Sequence, residues 1–189
     1  MCEGPFSGAA RRGMKMNFKV LVVDDEYYAR KALVMMLEKS ELPISVKGDF
    51  EDGEEVIEYL QENEADIIIT DIRMPNMDGL ELAKYVQEHI PKCSVVIETG
   101  YEDFQYARKA LRYQVKEYLT KPINEAELIK SIKDILVEKT KSDNLENMNR
   151  LKGIVENLDF AQLIQNKKLF DELIPAELWN DYSWFFMVK

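Results

Sequence analysis

Short apolar runs alternate along the chain with segments that have helical periodicity. The apolar runs, which predict β-strands, cover residues 18–23, 44–50, 66–70, 93–98 and 116–120. The periodic segments, which predict amphipathic helices, cover residues 27–40, 53–61, 78–89, 103–114 and 124–139. The first helix, for instance, has Ala29, Leu33 and Leu37 on one face. Five β–α alternations of this kind predict a doubly wound α/β domain.

The apolar runs are continuous, and this bears on how the sheet is covered. The sequences IIIT at 67–70 and VVI at 95–97 consist of β-branched residues without a charged interruption. Strands of that composition are typically buried on both faces, as in a parallel sheet that has helices on each side. The pattern therefore favours a parallel sheet.

The region with alternating strands and helices differs in composition from both ends of the chain. Residues 1–16 are rich in Gly, Ala and Ser, and no clean apolar stretch follows Arg11 and Arg12, so we expect a tag or a disordered tail and not a signal peptide. The polar run 138–144 marks the other edge, either as a solvated stretch of continuous helix or as a linker. We therefore expect one domain over 17–138, and over 139–189 a helical linker and the start of an incomplete C-terminal region.

The C-terminal segment has two further patterns. Met148, Leu151, Val155 and Leu158 have a heptad-like spacing over less than two heptads. A short coiled coil, packing against the chain's own domain and packing against a neighbour all fit this spacing. The run WFFMV at 184–188 is typical of the start of a strand, and we expect the chain to stop inside a second domain.

Charge, hydropathy and cysteine content limit the kinds of function and the cellular compartment to be expected. The net charge of −10 argues against nucleic-acid binding by this chain alone. No apolar run approaches the roughly 18 residues that a membrane helix needs. Cys2 and Cys93 have neither a metal-site spacing nor a disulfide framework, which favours the cytoplasm, and Cys93 is expected to be a small buried hydrophobe.

Polar residues follow four of the predicted strands directly. They are Asp24, Asp25 and Glu26 after the first strand, Asp71 after the third, Thr99 after the fourth and Lys121 after the fifth. In open α/β sheets, ligands bind outside the carboxyl ends of the strands, near the switch in strand order. We therefore expect these side chains to converge in one crevice.

The crevice has the groups that phosphoryl transfer requires. Carboxylates held close together repel one another, and a hard cation such as Mg²⁺ relieves that repulsion. A carboxylate such as Asp71 can also attack phosphorus and form an aspartyl phosphate. Lys121 and Thr99 could then neutralise or hydrogen-bond the phosphoryl oxygens. Each feature alone has a simpler interpretation: the Asp24–Asp25 pair as a helix N-cap, and Asp71 as a turn residue.

Four motifs in register resemble the receiver domain of two-component response regulators. They are VLVVDDE (20–26), TDIRMPNMDG (70–79), IETGYEDF (97–104) and VKEYLTKP (115–122). The resemblance covers roughly residues 17–138. It implies a flavodoxin-like sheet of strand order 2-1-3-4-5. It also implies a phosphoacceptor and signalling module with self-phosphorylation and self-dephosphorylation chemistry, not an enzyme.

The resemblance also implies roles for individual residues at the acceptor. Asp71 would accept a phosphoryl group from a sensor histidine kinase. Asp24, Asp25, Asp71 and the backbone carbonyl of Arg73 would hold Mg²⁺. Asp25 would be a direct ligand, and Asp24 would act through water.

A second set of implied roles concerns the response to phosphorylation. Lys121 would contact the phosphoryl group, and the Lys121–Pro122 peptide bond would be cis. Thr99 would be the switch hydroxyl and Tyr118 the switch aromatic residue. Phosphorylation would draw Thr99 toward the new oxygens and let Tyr118 rotate inward, which shifts the population between two surface states.

Several alternatives stay open. A dehalogenase-type phosphohydrolase also uses a nucleophilic Asp, but the second acid that it needs falls at Arg73. A nucleotide or flavin binder needs a Gly-rich first turn, where this chain has DDEYY. A third alternative is a protein-interaction module whose site is inactive, but such a module would not need all four motifs to be intact.

The output of the signal is a separate question. The run from GYEDFQYARKAL to VKEYLTKPI resembles receivers that precede AraC-type DNA-binding domains. Residues 141–189 contain no helix-turn-helix pattern, so DNA binding would require a domain absent from this chain. Regulation of a protein partner is the alternative output, and a second copy of the chain is a further candidate partner.

Overall fold

The computed structural model describes residues 17–100 and 104–157. The strands are β1 (Phe18–Val23), β2 (Ile44–Phe50), β3 (Ile67–Asp71), β4 (Ser94–Thr99) and β5 (Glu117–Thr120). The helices are α1 (Tyr27–Lys39), α2 (Gly53–Leu60), α3 (Gly79–His89), α4 (Phe104–Arg112) and α5 (Glu125–Asn157). One unit of the chain extends to Leu136 and a second begins at Val137, and each is described by itself.

The five strands form one parallel sheet of order β2-β1-β3-β4-β5. This confirms the predicted flavodoxin-like topology. The strand order reverses beside β1, which pairs with β2 on one side and with β3 on the other. A crevice is expected at the carboxyl ends of β1 and β3 because the connections leave these strands toward opposite faces of the sheet.

Apolar side chains alternate between the two faces of the sheet along each strand, so the core has two parts, one on each face. On one face, residues such as Val22, Ile69 and Val96 pack with side chains from α1 and α5. On the other, residues such as Val23 and Ile97 pack with side chains from α2, α3 and α4. Because successive strand residues point to opposite faces, the parity of a residue determines which layer it joins.

The structure settles two points about the predicted helices. Arg30, and not Ala29, is buried with Leu33 and Leu37 on α1. The last helix continues beyond the predicted end at 139 to Asn157, so the polar run 138–144 is a stretch of continuous helix. Most side chains of that run are exposed, which allows a helix there without apolar packing.

Some expectations lie outside the described residues. They concern residues 1–16, the strand expected at 184–188 and the region beyond 157. The heptad-like pattern reaches Leu158 and is therefore described only in part. None of the helices in the described ranges is long and apolar enough to span a membrane.

The start of α3 is fixed closely against the end of β3. Asp78 accepts hydrogen bonds from the backbone N–H groups of Leu80 and Glu81, at 2.9 and 2.7 Å, and the Glu81 carboxylate accepts one from Asp78 N at 3.1 Å. This capping box satisfies donors that the helix itself leaves unpaired. A Cβ atom at Gly79 would lie 2.0 Å from the Asp71 carbonyl oxygen. The absence of a side chain at Gly79 therefore lets α3 approach the backbone of Asp71.

We predict that Gly79→Ala lowers the free energy of unfolding by at least about 2 kcal/mol, because backbone atoms must move to admit the methyl group. Urea denaturation measures this loss. Gly100→Ala is the matched control, since a Cβ atom there meets none of the described residues within 4 Å. Equal stability losses in the two variants would contradict the close approach.

Candidate functional site

Three of the predicted site residues meet at the carboxyl edge of the sheet. The Lys121 Nζ atom lies 2.8 Å from Asp24 Oδ2 and 2.9 Å from Asp71 Oδ1. Asp24 is fully buried and Asp71 is nearly so. Residues from the ends of β1, β3 and β5 thus form one compact ion cluster.

The second oxygen of each aspartate is held by the local backbone. Asp24 Oδ1 accepts a hydrogen bond from Glu26 N at 2.7 Å. Asp71 Oδ2 accepts one from Arg73 N at 2.8 Å. Each carboxylate is therefore fixed through one oxygen and faces Lys121 with the other.

Lys121 is held in place through its backbone as well. Its N–H donates to the Thr99 carbonyl oxygen at 2.8 Å, which continues the β4–β5 pairing by one residue. The Lys121–Pro122 peptide bond is cis, as the resemblance implied. Burial lowers the pKa of Lys121, but hydrogen bonds to Asp24 and Asp71 outweigh this and raise it above its ordinary value of 10.5. The ammonium group therefore stays charged at neutral pH.

Arg30 is a functional candidate that the sequence interpretation missed. Its guanidinium group is buried and donates to the Asp24 carbonyl oxygen, to Asp49 Oδ1 at 3.0 Å and to Glu51 Oε1 at 3.0 Å. It thus ties the loop after β1 to β2 and to the residue that follows β2. The available signal was the spacing of Arg30, Leu33 and Leu37, which puts an arginine on the apolar face of α1.

Glu98 is the second residue that was missed. It is 1% exposed and pairs in the sheet with Asp71 on one side and Leu119 on the other. Burial raises the pKa of Glu98 to about 9, the Lys121 charge opposes this, and Asp24 adds to the rise. Glu98 Oε1 has no hydrogen-bond partner among the described residues. The signal was a charged residue at the end of an otherwise apolar strand, SVVIET.

The remaining predicted residues surround the cluster at different depths. Thr99 is buried and Tyr118 is partly buried, and Tyr118 packs against the core on the α2–α3–α4 face. Asp25 is exposed. Arg73 is exposed, with its guanidinium carbon 5.7 Å from the centre of the Tyr106 ring. Thus Lys121 is in direct contact with Asp24 and with Asp71, whereas the neighbouring Asp25 faces solvent.

The donor set is compatible with a hard cation. Within the described ranges, no three His, Cys, Asp or Glu side chains converge closely enough to form a metal site by themselves. Mg²⁺ typically takes only one or two carboxylates and keeps several waters. Asp24 and Asp71 already share one cation, the Lys121 ammonium, so the chemistry of this pair is compatible with such an ion.

Comparison with known proteins gives a consistent result. The family described as "Response regulator receiver domain" matches residues 20–133. YesN of Bacillus subtilis, described as an uncharacterized transcriptional regulatory protein, is 36% identical over 126 residues, which are 67% of this chain and 34% of YesN. The transcriptional regulatory protein HptR of Staphylococcus aureus is 32% identical over 111 residues, which are 59% of this chain and 43% of HptR.

Among solved structures, the REC domain of AraT, a response regulator from Geobacillus stearothermophilus, is 36% identical with a TM-score of 0.61. That match covers 69% of this chain and 99% of the solved domain. By contrast, the chain spans less than half the length of the curated relatives named above. The similarity therefore concerns one domain of longer proteins.

We predict that Arg30→Met lowers the free energy of unfolding by about 3 kcal/mol, because the Asp24 carbonyl and two carboxylates lose a buried donor. Thermal or urea denaturation measures the loss. Lys31→Ala is the control: Lys31 also pairs with Asp49, at 2.8 Å, but is more exposed, so its loss should stay below about 1 kcal/mol. A loss in Arg30→Met as small as in Lys31→Ala would contradict the role of Arg30.

The ion pairs of Asp49 with Arg30 and Lys31 predict a pH dependence of stability. The hydrogen bond from Lys31, followed by the contribution of Arg30, lowers the pKa of Asp49 below its ordinary value of 3.8. An ionised Asp49 therefore stabilises the fold above that value, and the contribution is lost as the pH falls through the lowered pKa. Asp49→Asn should flatten the dependence of stability on pH below about pH 4. An unchanged acid limb in urea titrations would refute this.

Proposed function

Because the chain belongs to the family of response regulator receiver domains, we propose that it receives a signal as a phosphoryl group on Asp71, from a sensor histidine kinase. The observation that carries the proposal is the contact of Lys121 with Asp24 and Asp71 at the carboxyl edge of the sheet. It gives one carboxylate the position of a nucleophile and supplies a fixed positive charge beside it. Response regulators are signalling proteins and not classical enzymes.

The geometry suggests which oxygen of Asp71 reacts. Oδ2 is held by Arg73 N, whereas Oδ1 faces the Lys121 ammonium. We assign the attack on phosphorus to Oδ1, with cleavage of the bond between phosphorus and the donor's histidine nitrogen. That nitrogen keeps the electron pair of the broken bond and takes a proton from solvent. Lys121 then neutralises charge on the transferred group, which is the main requirement of phosphoryl transfer.

Mg²⁺ fits this proposal as the cofactor. Asp24, Asp25, Asp71 and the Arg73 carbonyl would hold it, and when bound it would neutralise phosphoryl oxygens that Lys121 does not reach. Asp24 is fully buried and fixed by Glu26 N, so it is already oriented for an ion or its water. Asp25 is exposed, so it would be the solvent-accessible member of the proposed ligand set.

The proposed switch uses the opposite face of the sheet. Thr99 and Tyr118 lie on the same face of the sheet as Ile97, which packs in the α2–α3–α4 layer. Asp71 and Lys121 lie on the opposite face, together with Ile69 and Leu119. We propose that Thr99 turns toward the phosphoryl group and that Tyr118 follows it inward. A chemical event on one layer would thereby change the surface of the other.

The proposed output is transcription, carried out by parts of the protein outside the receiver domain. Support comes from the relatives, which are named transcriptional regulatory proteins and extend well beyond the matched region. Regulation of a protein partner is the alternative output. We propose a cytoplasmic location, where a kinase of this kind would meet its receiver.

Treatment with acetyl phosphate and Mg²⁺ tests the proposal. The intact mass of the wild-type protein should rise by one phosphoryl group, whereas Asp71→Asn should show no increase. Asp134→Asn, which alters an exposed aspartate on α5, is the matched control and should be labelled like the wild type. Equal labelling of Asp71→Asn and the wild type would rule out Asp71 as the acceptor.

A further inference from the structure

We propose that Glu98 is a positioning residue for Lys121. It accepts a hydrogen bond from Lys121 when Asp24 and Asp71, the partners of Lys121 in this structure, are engaged by the cation and the phosphoryl group. The inference rests on the proposed function of Asp71. It concerns how Lys121 remains in the site during the reaction. No role for Glu98 was predicted from the sequence.

The first step is the number of donors on Lys121. An ammonium group has three N–H donors, and two of them point to Asp24 and Asp71, at 2.8 and 2.9 Å. Both partners have other tasks in the proposed reaction: Asp71 carries the phosphoryl group and Asp24 helps to hold the cation. Phosphoryl oxygens give Lys121 a new acceptor only once they are in place, so Lys121 needs a further acceptor to keep its position while Asp24 and Asp71 are engaged by the cation.

The second step is the position of Glu98. Because side chains alternate along a strand, one face of the sheet, the one that packs against α1 and α5, also carries Asp24, Asp71, Glu98 and Lys121 at its carboxyl edge. The Lys121 N–H group bonds to the carbonyl of Thr99, the residue after Glu98. Glu98 therefore extends from the neighbouring strand on the same face of the sheet as Lys121.

The third step is the unused acceptor. Glu98 Oε1 is buried and, within the part of the chain that the structure describes, lacks a hydrogen-bond partner. Burying a polar atom without a partner is costly, so an apolar residue of similar size would stabilise this position. A costly group at a site is expected where it has a functional use. The carbonyl-type oxygen of a carboxyl group can accept a bond from Lys121 in either protonation state.

A pair of substitutions separates this role from a purely structural one. Glu98→Leu removes the acceptor and Glu98→Gln keeps one. With acetyl phosphate at saturating Mg²⁺, we expect Glu98→Leu to be phosphorylated about tenfold more slowly than the wild type, and Glu98→Gln to remain within about twofold. In thermal denaturation without Mg²⁺, Glu98→Leu should melt at or above the wild-type temperature. If Glu98→Leu fails to fold, Glu98→Met takes its place.

A second readout does not depend on phosphorylation. In Mg²⁺, the Lys121 amine of the wild type and of Glu98→Gln should be protected from acetylation by acetic anhydride, as measured by peptide mass spectrometry. Glu98→Leu should be acetylated at Lys121 severalfold faster. Lys84, an exposed lysine on α3, is the internal reference.

Three results would overturn the assignment. They are wild-type behaviour of Glu98→Leu in both assays, equal defects in Glu98→Leu and Glu98→Gln, and a lower melting temperature of Glu98→Leu that accounts for its slow reaction. A failure of the proposed function is distinguishable, because it would leave the wild-type protein unlabelled by acetyl phosphate while the acetylation assay still reports on Glu98.

Discussion

The contact of one ammonium group with two buried carboxylates is the interaction on which the rest of this structure depends. Asp24 and Asp71 end neighbouring strands at the point where strand order reverses, so their negative charges are brought together by the topology itself. Without a cation, two buried carboxylates at this separation would repel one another strongly. Lys121 supplies that cation from the end of the edge strand β5, two strands away from β3.

This arrangement explains why the surrounding backbone is held so closely. Gly79 lets α3 approach Asp71, and Arg30 fixes the loop that carries Asp24. Each of these contacts positions a charged group and contributes little apolar burial. The cluster is therefore held by several contacts, and the proposed phosphoryl transfer would rely on this, because such a reaction depends mainly on placement and charge.

Alternating apolar and helical periods predicted the strands, and the position of Asp24, Asp71 and Lys121 after strands predicted their convergence, because parallel strands end at one edge. The order of the strands came from the resemblance of four motifs to receiver domains. The sequence alone did not predict Arg30 or Glu98. Both are charged residues at apolar positions, and a periodicity count treats such a residue as noise. Their roles depend on partners distant in sequence, such as Asp49 for Arg30, which only the folded arrangement identifies.

The most direct measurement is chemical mapping of the phosphorylated carboxylate. After treatment with acetyl phosphate and Mg²⁺, borohydride reduction converts an aspartyl phosphate to homoserine, which peptide mass spectrometry locates. The geometry around Lys121 predicts homoserine at position 71 and at no other aspartate. Reduction at Asp24 or Asp25 instead would contradict the assignment of Asp71 as the nucleophile.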